Sequence, residues 1–243
     1  MDGIRGEAIP TLEELTDLLE WSLNPLTGPF EASLARWHYG DARFSFRGTN
    51  LKYFVHPYHK TWRTERAVEI PLALHYLESL RKGADVLEVG NVLSHYPEGL
   101  KLMPGYGYTI VDKYERAPGV LNKDIVDFTS SKPFELILSV STIEHVGLDE
   151  GGEPSKWKAA ITQLVGLLAK DGTMVVTMPI GYNPDVDQCM RDEKLPFEDV
   201  YYLKRVSRDN LWREASLDEV RWTRYNFPHR AGNAVIVGFL TES

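Results

Sequence analysis

The sequence predicts an α/β domain built on a mostly parallel sheet with helices on both faces. Short apolar runs at Asp85 to Val89, Tyr108 to Val111, Val120 to Val126, Leu136 to Val140 and Thr173 to Met178 are separated by longer stretches, some of helical pattern. The runs are apolar without strict alternation, the mark of strands buried on both faces. Carboxylates, serines or glycine stand where several runs end, which is where such sheets carry their ligands.

The elements follow in chain order. Thr11-Leu12-Glu13-Glu14 fits a capping box, and Leu12, Leu15, Leu18 and Leu19 recur at helical spacing, so an amphipathic helix is expected to about Trp21. "NPLTGPF", Asn24 to Phe30, reads as a turn-rich break. Ala42 to Val55 alternates around Gly48-Thr49-Asn50 as a hairpin. Residues 1–63 are therefore expected to form a helix-and-hairpin cap, and 64–243 the main domain, with its core over 84–185. A long helix is expected from Thr64 to Gly83, with Pro71 kinking or restarting it and Gly83 as C-cap.

A further helix is expected within Ser155 to Gly172, with Trp157, Ile161, Leu164, Leu167 and Leu168 on its buried side. Beyond Pro179 three strand-like segments follow: Val200 to Ser207, Glu219 to Phe227 and Asn233 to Thr241. Arg208 to Leu217 reads as a turn or short helix. A sheet of seven strands is expected, five parallel plus an antiparallel final pair.

The 243 residues carry a net charge of -8, with 43% hydrophobic and 26% charged residues. These are ordinary globular values, and the acidic balance disfavours binding of nucleic acid or anionic membrane by the whole surface. Cys189, the single cysteine, cannot form an intramolecular disulfide, and the acidic N-terminus lacks the apolar core of a signal peptide. A cytoplasmic protein without a membrane span is expected.

Asp112 follows Gly90 by 22 residues. That is close to the roughly 20 expected between a nucleotide loop and the acid that accepts from ribose hydroxyls. The loop itself, Gly90-Asn91-Val92-Leu93, holds bulk where a dinucleotide pyrophosphate needs glycine. A nicotinamide-dependent oxidoreductase or epimerase is thereby disfavoured, and a cofactor without phosphate fits better.

The ordered series "DVLEVGN", "YTIVDKYE", "NKDIVDF", "PFELILSVSTIEHVG" and "LLAKDGTMVVTMP" resembles the class I S-adenosylmethionine-dependent methyltransferases of small-molecule type, over about Thr64 to Asp185. The resemblance implies a Rossmann-like sheet, S-adenosyl-L-methionine as cofactor and S-adenosylhomocysteine as product. It implies that Glu88 and Gly90 meet the methionine part, that Asp112 takes the ribose, that Asp124 and Ile125 flank the adenine, and that Ser139 and Ser141 pass the methionine part. Asn91 and Lys113, adjoining these positions, are further candidate cofactor contacts, and Glu65 and Arg66, at the approach to the helix before the first strand, are placed to reach the methionine carboxylate and amino groups. Asn91, Val92 and Leu93 depart from the family's glycine-rich continuation.

In the loop after the fourth strand, His145 is the candidate general base, a side-chain type that changes protonation near neutral pH, with Glu144 orienting it. A base matters most for an alcohol, so O-methylation of a sugar or natural-product-like metabolite is the expected reaction. His95, Tyr96 and Tyr182 are the candidate acceptor contacts. His145, Asp149, Glu150 and Glu153 leave a Mg²⁺-assisted variant open, although no metal ligand set is assigned. Arg36, Arg43, Arg47, Lys52, Lys60, Arg63 and Arg66, interleaved with aromatics, suggest a lid over the acceptor. A catalytically silent binding module of the same fold is the alternative from another class, and oligomeric state is not legible.

Overall fold

The computed structural model describes residues 27–242, and the expected helix from Thr11 to Trp21 lies outside them. A helix over 27–39 (α1) precedes a hairpin of β1 (Arg43–Phe46) and β2 (Thr49–Lys52). Then come α2 (Arg66–Ser79), β3 (Asp85–Val89), α3 (Pro97–Leu102), β4 (Gly107–Val111), β5 (Val120–Leu121) and β6 (Phe134–Val140). The chain continues through α4 (Trp157–Val165), β7 (Leu168–Pro179), α5 (Pro184–Arg191), β8 (Asp199–Arg205), β9 (Trp212–Ala215), α6 (Leu217–Val220) and β10 (Ala234–Thr241).

The fold is the expected α/β sheet, with eight strands where seven were expected, in the order β5-β4-β3-β6-β7-β10-β8-β9. Strands β5, β4, β3, β6 and β7 are mutually parallel. β10 inserts between β7 and β8, antiparallel to both, and β9 closes the edge antiparallel to β8. Because the chain leaves β3 toward one edge and returns to place β6 on its other side, the strand order reverses at β3, and a crevice opens beyond the carboxyl ends there.

Side chains alternate between two cores, as strand geometry requires. Val86, Leu136, Leu138, Val140, Val175, Val235 and Val237 face the core shared with α2 and the hairpin. Leu87, Ile137, Met174, Val176 and Ile236 face the core shared with α4 and α5. Burial on both faces explains the unbroken apolar runs.

Four local expectations are corrected. Thr27 to Phe30 are helical despite Pro29, because Ala32, Ala35 and Tyr39 recur at helical spacing and are buried. The third parallel strand stops at Leu121; Asp124 then accepts the Val126 N–H at 3.2 Å and starts a single 3-10 turn instead. Glu219 to Phe227 is no strand, since Ser216 and Glu219 form a capping box that starts α6. The missing strand lies earlier, at Trp212–Ala215, where buried Trp212 accepts a place under the cap and its N–H donates to the Tyr53 hydroxyl at 2.7 Å.

The hairpin turns at Arg47 and Gly48, both at positive φ, one residue pair before the expected Gly48-Thr49-Asn50. α2 ends at Ser79, short of Gly83, and runs through Pro71 without restarting. Proline has no N–H to give to the carbonyl four residues back, Ala67. The Phe54 N–H donates to that carbonyl at 3.0 Å, so the cap is pinned to the gap that Pro71 leaves.

Candidate active site

The site divides into a ledge over β3, β4 and β5 and a cavity beyond β6 and β7. On the ledge, Glu88 is fully buried at the end of β3. Its Oε1 accepts the Val92 and Leu93 N–H groups at 2.9 and 2.7 Å, and its Oε2 accepts the Tyr108 hydroxyl at 2.8 Å. Burial still pushes its carboxyl up to about 7. Gly90 follows at φ 86, and a Cβ there would meet the Thr142 side chain at 2.2 Å, so the loops after β3 and β6 are in contact through that glycine.

Asp112, half-buried at the end of β4, shapes the next loop: Oδ1 accepts the Tyr114 and Glu115 N–H groups at 2.8 and 2.7 Å. Oδ2 holds only the long 3.3 Å contact from the Asn91 N–H. That oxygen therefore retains acceptor capacity for a ligand hydroxyl. Asn91 is buried, and its side-chain amide donates to Glu115 at 2.7 Å.

Asp124 lies against Lys156 at 2.7 Å and Lys113 at 3.0 Å. Although burial opposes it, these two cations hold its carboxyl down to about 2. Lys113 also pairs with Glu150. Ile125 is buried beside Asp124, and Ser139 is buried at the end of β6 with its hydroxyl unpartnered. Among the described residues no three of His, Cys, Asp and Glu converge as a metal-ligand set. Glu150 is held by lysines instead.

The cavity, of about 220 Å³, is lined by residues of five segments, among them Thr64, Glu65 and Arg66 at the start of α2, Ser141, Glu144 and His145 after β6, and Tyr182 after β7. Tyr225 and Ala231 close it from the segment before β10, and His59 from the cap. Arg66 donates to Glu69 and to the Val140 carbonyl, both at 3.0 Å. Ser141 sits at φ 42, a left-handed conformation unusual for serine, and its hydroxyl donates to Glu69 at 2.6 Å. Glu65 accepts the Gly232 N–H at 2.8 Å; a side chain at 232 would crowd that carboxylate at 3.1 Å.

Glu144 differs from every other acid of the site. It is fully buried, and neither carboxylate oxygen has a hydrogen-bond partner. Burial first, and then the charge of Glu69, push its carboxyl well above the ordinary range. Its backbone is fixed by Asn183, which donates to the Glu144 carbonyl at 2.7 Å while capping α5. His145 Nδ1 lies 2.7 Å from Asp149 Oδ2, and Nε2 lies 3.7 Å from Glu144 Oε1, too far for a hydrogen bond. The His145 ring packs on Tyr182 with centroids 4.4 Å apart, and the Tyr182 hydroxyl donates to Asp149 at 3.3 Å.

Of the residues singled out in the sequence, Arg66, Ser141, Glu144, His145 and Tyr182 meet at this cavity, while Glu88, Gly90, Asn91, Asp112, Lys113, Asp124, Ile125 and Ser139 belong to the ledge side. His95 and Tyr96 do not line the cavity. His95 stacks on Tyr58 and pairs with Glu115, and Tyr96 is fully buried among Phe54, His56 and Tyr58. Several basic residues expected to form a lid are spent within the cap or against its neighbours: Lys52 on Asp41, Arg63 on Glu31, Arg47 on Asp199 and over the Tyr201 ring. Glu69, Thr64, His59 and Tyr225 were missed. Only Glu69 left a signal, as an acid four residues after Glu65 on an otherwise apolar helix.

Neither a protein-family model nor a curated protein matches the chain. Among solved structures it is similar to the N-methyltransferase NodS of Bradyrhizobium japonicum WM9, solved with S-adenosylhomocysteine, at 15% identity and TM-score 0.46, over 73% of this chain and 87% of that one. It is also similar to the 1,6-didemethyltoxoflavin-N1-methyltransferase of Burkholderia thailandensis, at 14% identity and TM-score 0.46, over 98% and 92% of the two chains. A SAM-dependent methyltransferase of Archaeoglobus fulgidus is similar at 13% identity and TM-score 0.46, over 75% and 98%.

Proposed function

We propose that this chain is an enzyme that transfers the methyl group of S-adenosylmethionine to a small-molecule acceptor, at a hydroxyl taken by His145. The observation that carries the reading is the commitment of Glu88. The Val92 and Leu93 amides, which would otherwise face a pyrophosphate at this loop, are already occupied by its carboxylate. With those amides taken, the loop has none left there for a phosphate, while Asp112 keeps an oxygen for ribose hydroxyls. The ledge thus suits a nucleoside cofactor without phosphate.

The unpartnered hydroxyl of buried Ser139 is a further point where the residues present fit such a ligand. On this reading Asp112 binds the ribose, Ile125 offers apolar surface to the base, and Ser139, Ser141 and Arg66 serve the amino-acid part. Asp124, held by two lysines, acts by keeping the ledge in shape. The bound cofactor supplies a methyl group on a positively charged sulfur that leaves as a neutral thioether.

The protein's own part is to position the acceptor and move one proton. Positioning supplies the larger share, on the order of 7–11 kcal/mol, against 10²- to 10⁴-fold, roughly 3–5 kcal/mol, from a general base. Asp149 orients His145 through Nδ1, which leaves Nε2 as the proton acceptor on the side of Glu144. Tyr182 braces both members of that pair.

Calorimetry with S-adenosylhomocysteine tests the reading: saturable binding with one site is expected. Absence of binding at millimolar ligand would refute the methyl-transfer function and leave a binding module of the same fold. No helix among the described residues is long and apolar enough to cross a membrane.

A further inference from the structure

The polar groups around the cavity are not all satisfied. Glu65 and Glu144 are buried in its lining with Arg66, and buried Glu69 lies behind them, against Arg66 and Ser141. Arg205 acts on Glu65 only at a distance, because its N–H groups donate to the Arg63, Ser207, Arg208 and Arg230 carbonyls. His59, in the wall, is held down to about 4 by burial, Arg66 and His95, so it brings no positive charge at neutral pH.

The protein satisfies two of the three acids itself. Glu69 has Arg66 and Ser141, and Glu65 has the Gly232 amide. Glu144 has no hydrogen bond on either oxygen, with His145 Nε2 3.7 Å away, and in the same lining the buried Thr64 hydroxyl is also without a hydrogen-bond partner. Buried polar groups left open in this way mark the place of a ligand that completes them.

We infer that the acceptor is a small amino alcohol whose ammonium group docks on the Glu144 carboxylate while its neighbouring hydroxyl meets His145. This rests on the methyl-transfer reading and names its substrate class. An ammonium has three donors and no acceptor, which answers two empty carboxylate oxygens and a hydroxyl oxygen together. Its charge also favours the ionised form of a carboxyl that burial otherwise keeps protonated. A neutral polyol donates hydrogen bonds but leaves the acids uncompensated in a buried site. The 3.7 Å between Glu144 Oε1 and His145 Nε2 sets two acceptors side by side, matching an amine and a hydroxyl on adjacent carbons.

The experiment compares trans-2-aminocyclohexanol with trans-1,2-cyclohexanediol, by calorimetry near neutral pH on the full chain saturated with S-adenosylhomocysteine. Failure to bind S-adenosylhomocysteine itself counts against the methyl-transfer reading, and is thereby separated from the acceptor question. The amino alcohol is expected to bind at least about tenfold more tightly than the diol, with the preference lost in Glu144→Gln. Retained S-adenosylhomocysteine binding and an undiminished melting temperature show that the variant is folded. The inference is overturned by equal or tighter binding of the diol, by binding of neither compound, or by a preference that survives in Glu144→Gln. It is likewise overturned if that substitution weakens S-adenosylhomocysteine instead, which would assign the carboxylate to the cofactor's own amino group.

Discussion

Asp124 and Glu144 are carboxylates at the same end of the same sheet, and the protein treats them in opposite ways. Asp124 has two lysines and a backbone amide, and its carboxyl is held down to about 2. Glu144 has no partner on either oxygen, and burial drives its carboxyl well above the ordinary range. Asp124 is complete as it stands, whereas Glu144 is complete only with something beside it. A carboxylate that is already paired shapes a site; one that is buried and unpaired waits for a ligand or a proton.

The largest expected effect removes the base between the two regions. His145→Ala should lower kcat by about 10²- to 10⁴-fold while S-adenosylhomocysteine affinity is unchanged, measured by turnover and calorimetry on one preparation. Full turnover would take His145 out of the chemistry and leave the cavity's buried acid as the proton acceptor. On the ledge, Asp112→Asn keeps an oxygen for the Tyr114 and Glu115 amides but loses the charge offered to ribose. Affinity for S-adenosylhomocysteine should fall by about 1.5–3 kcal/mol, and an unchanged dissociation constant would remove Asp112 from the ribose.

The ledge was far more legible in the sequence than the cavity, for a physical reason. Glu88, Gly90 and Asp112 stand at fixed offsets from strands whose apolar runs announce them, so spacing alone carries their placement. Glu69 lies on a helix that is apolar nearly all round, where periodicity cannot say which face meets the site. Tyr225 and Ala231 come from an irregular segment after α6, whose approach to Gly181 depends on that glycine's missing side chain. His95 and Tyr96 misled because the loop after β3 turns tightly around the Glu88 carboxylate. That turn sends Tyr96 into the core rather than the cavity.

Proton linkage distinguishes the two regions without any ligand. Glu144 faces Glu65, Glu69, Arg66, His145 and Tyr225, and its folded-state value is raised above the ordinary 4.5. Its folded form therefore binds the proton more tightly than its unfolded form. The stabilisation from that proton is full below about pH 4.5 and is lost as pH rises through the folded value. Glu144→Gln mimics the protonated acid, so it should stabilise the free protein by about 1–3 kcal/mol near neutral pH and by little near pH 4. Thermal melts across that range check this; a loss near neutral pH would show that the carboxylate is paired, and a gain that does not shrink toward acid would show that it does not arise from ionisation.

The smallest expected effect is the sharpest contrast. Asp124→Asn keeps the oxygen that accepts the Val126 amide and removes only the charge held by Lys113 and Lys156. Those lysines are partly exposed, so the cost should be no more than about 1 kcal/mol, and it should vanish in 1 M salt, where the Debye length is about 3 Å. Above the ordinary 3.8 this pair contributes its full stability, lost as pH falls toward the folded value of about 2, the reverse of Glu144. The Glu144→Gln gain comes from desolvation of a fully buried carboxyl, which salt screens little, and should persist in the same salt. If salt abolished both effects alike, the Glu144 carboxyl would be exposed to bulk solvent, and the distinction between a completed carboxylate and a waiting one would fail with it.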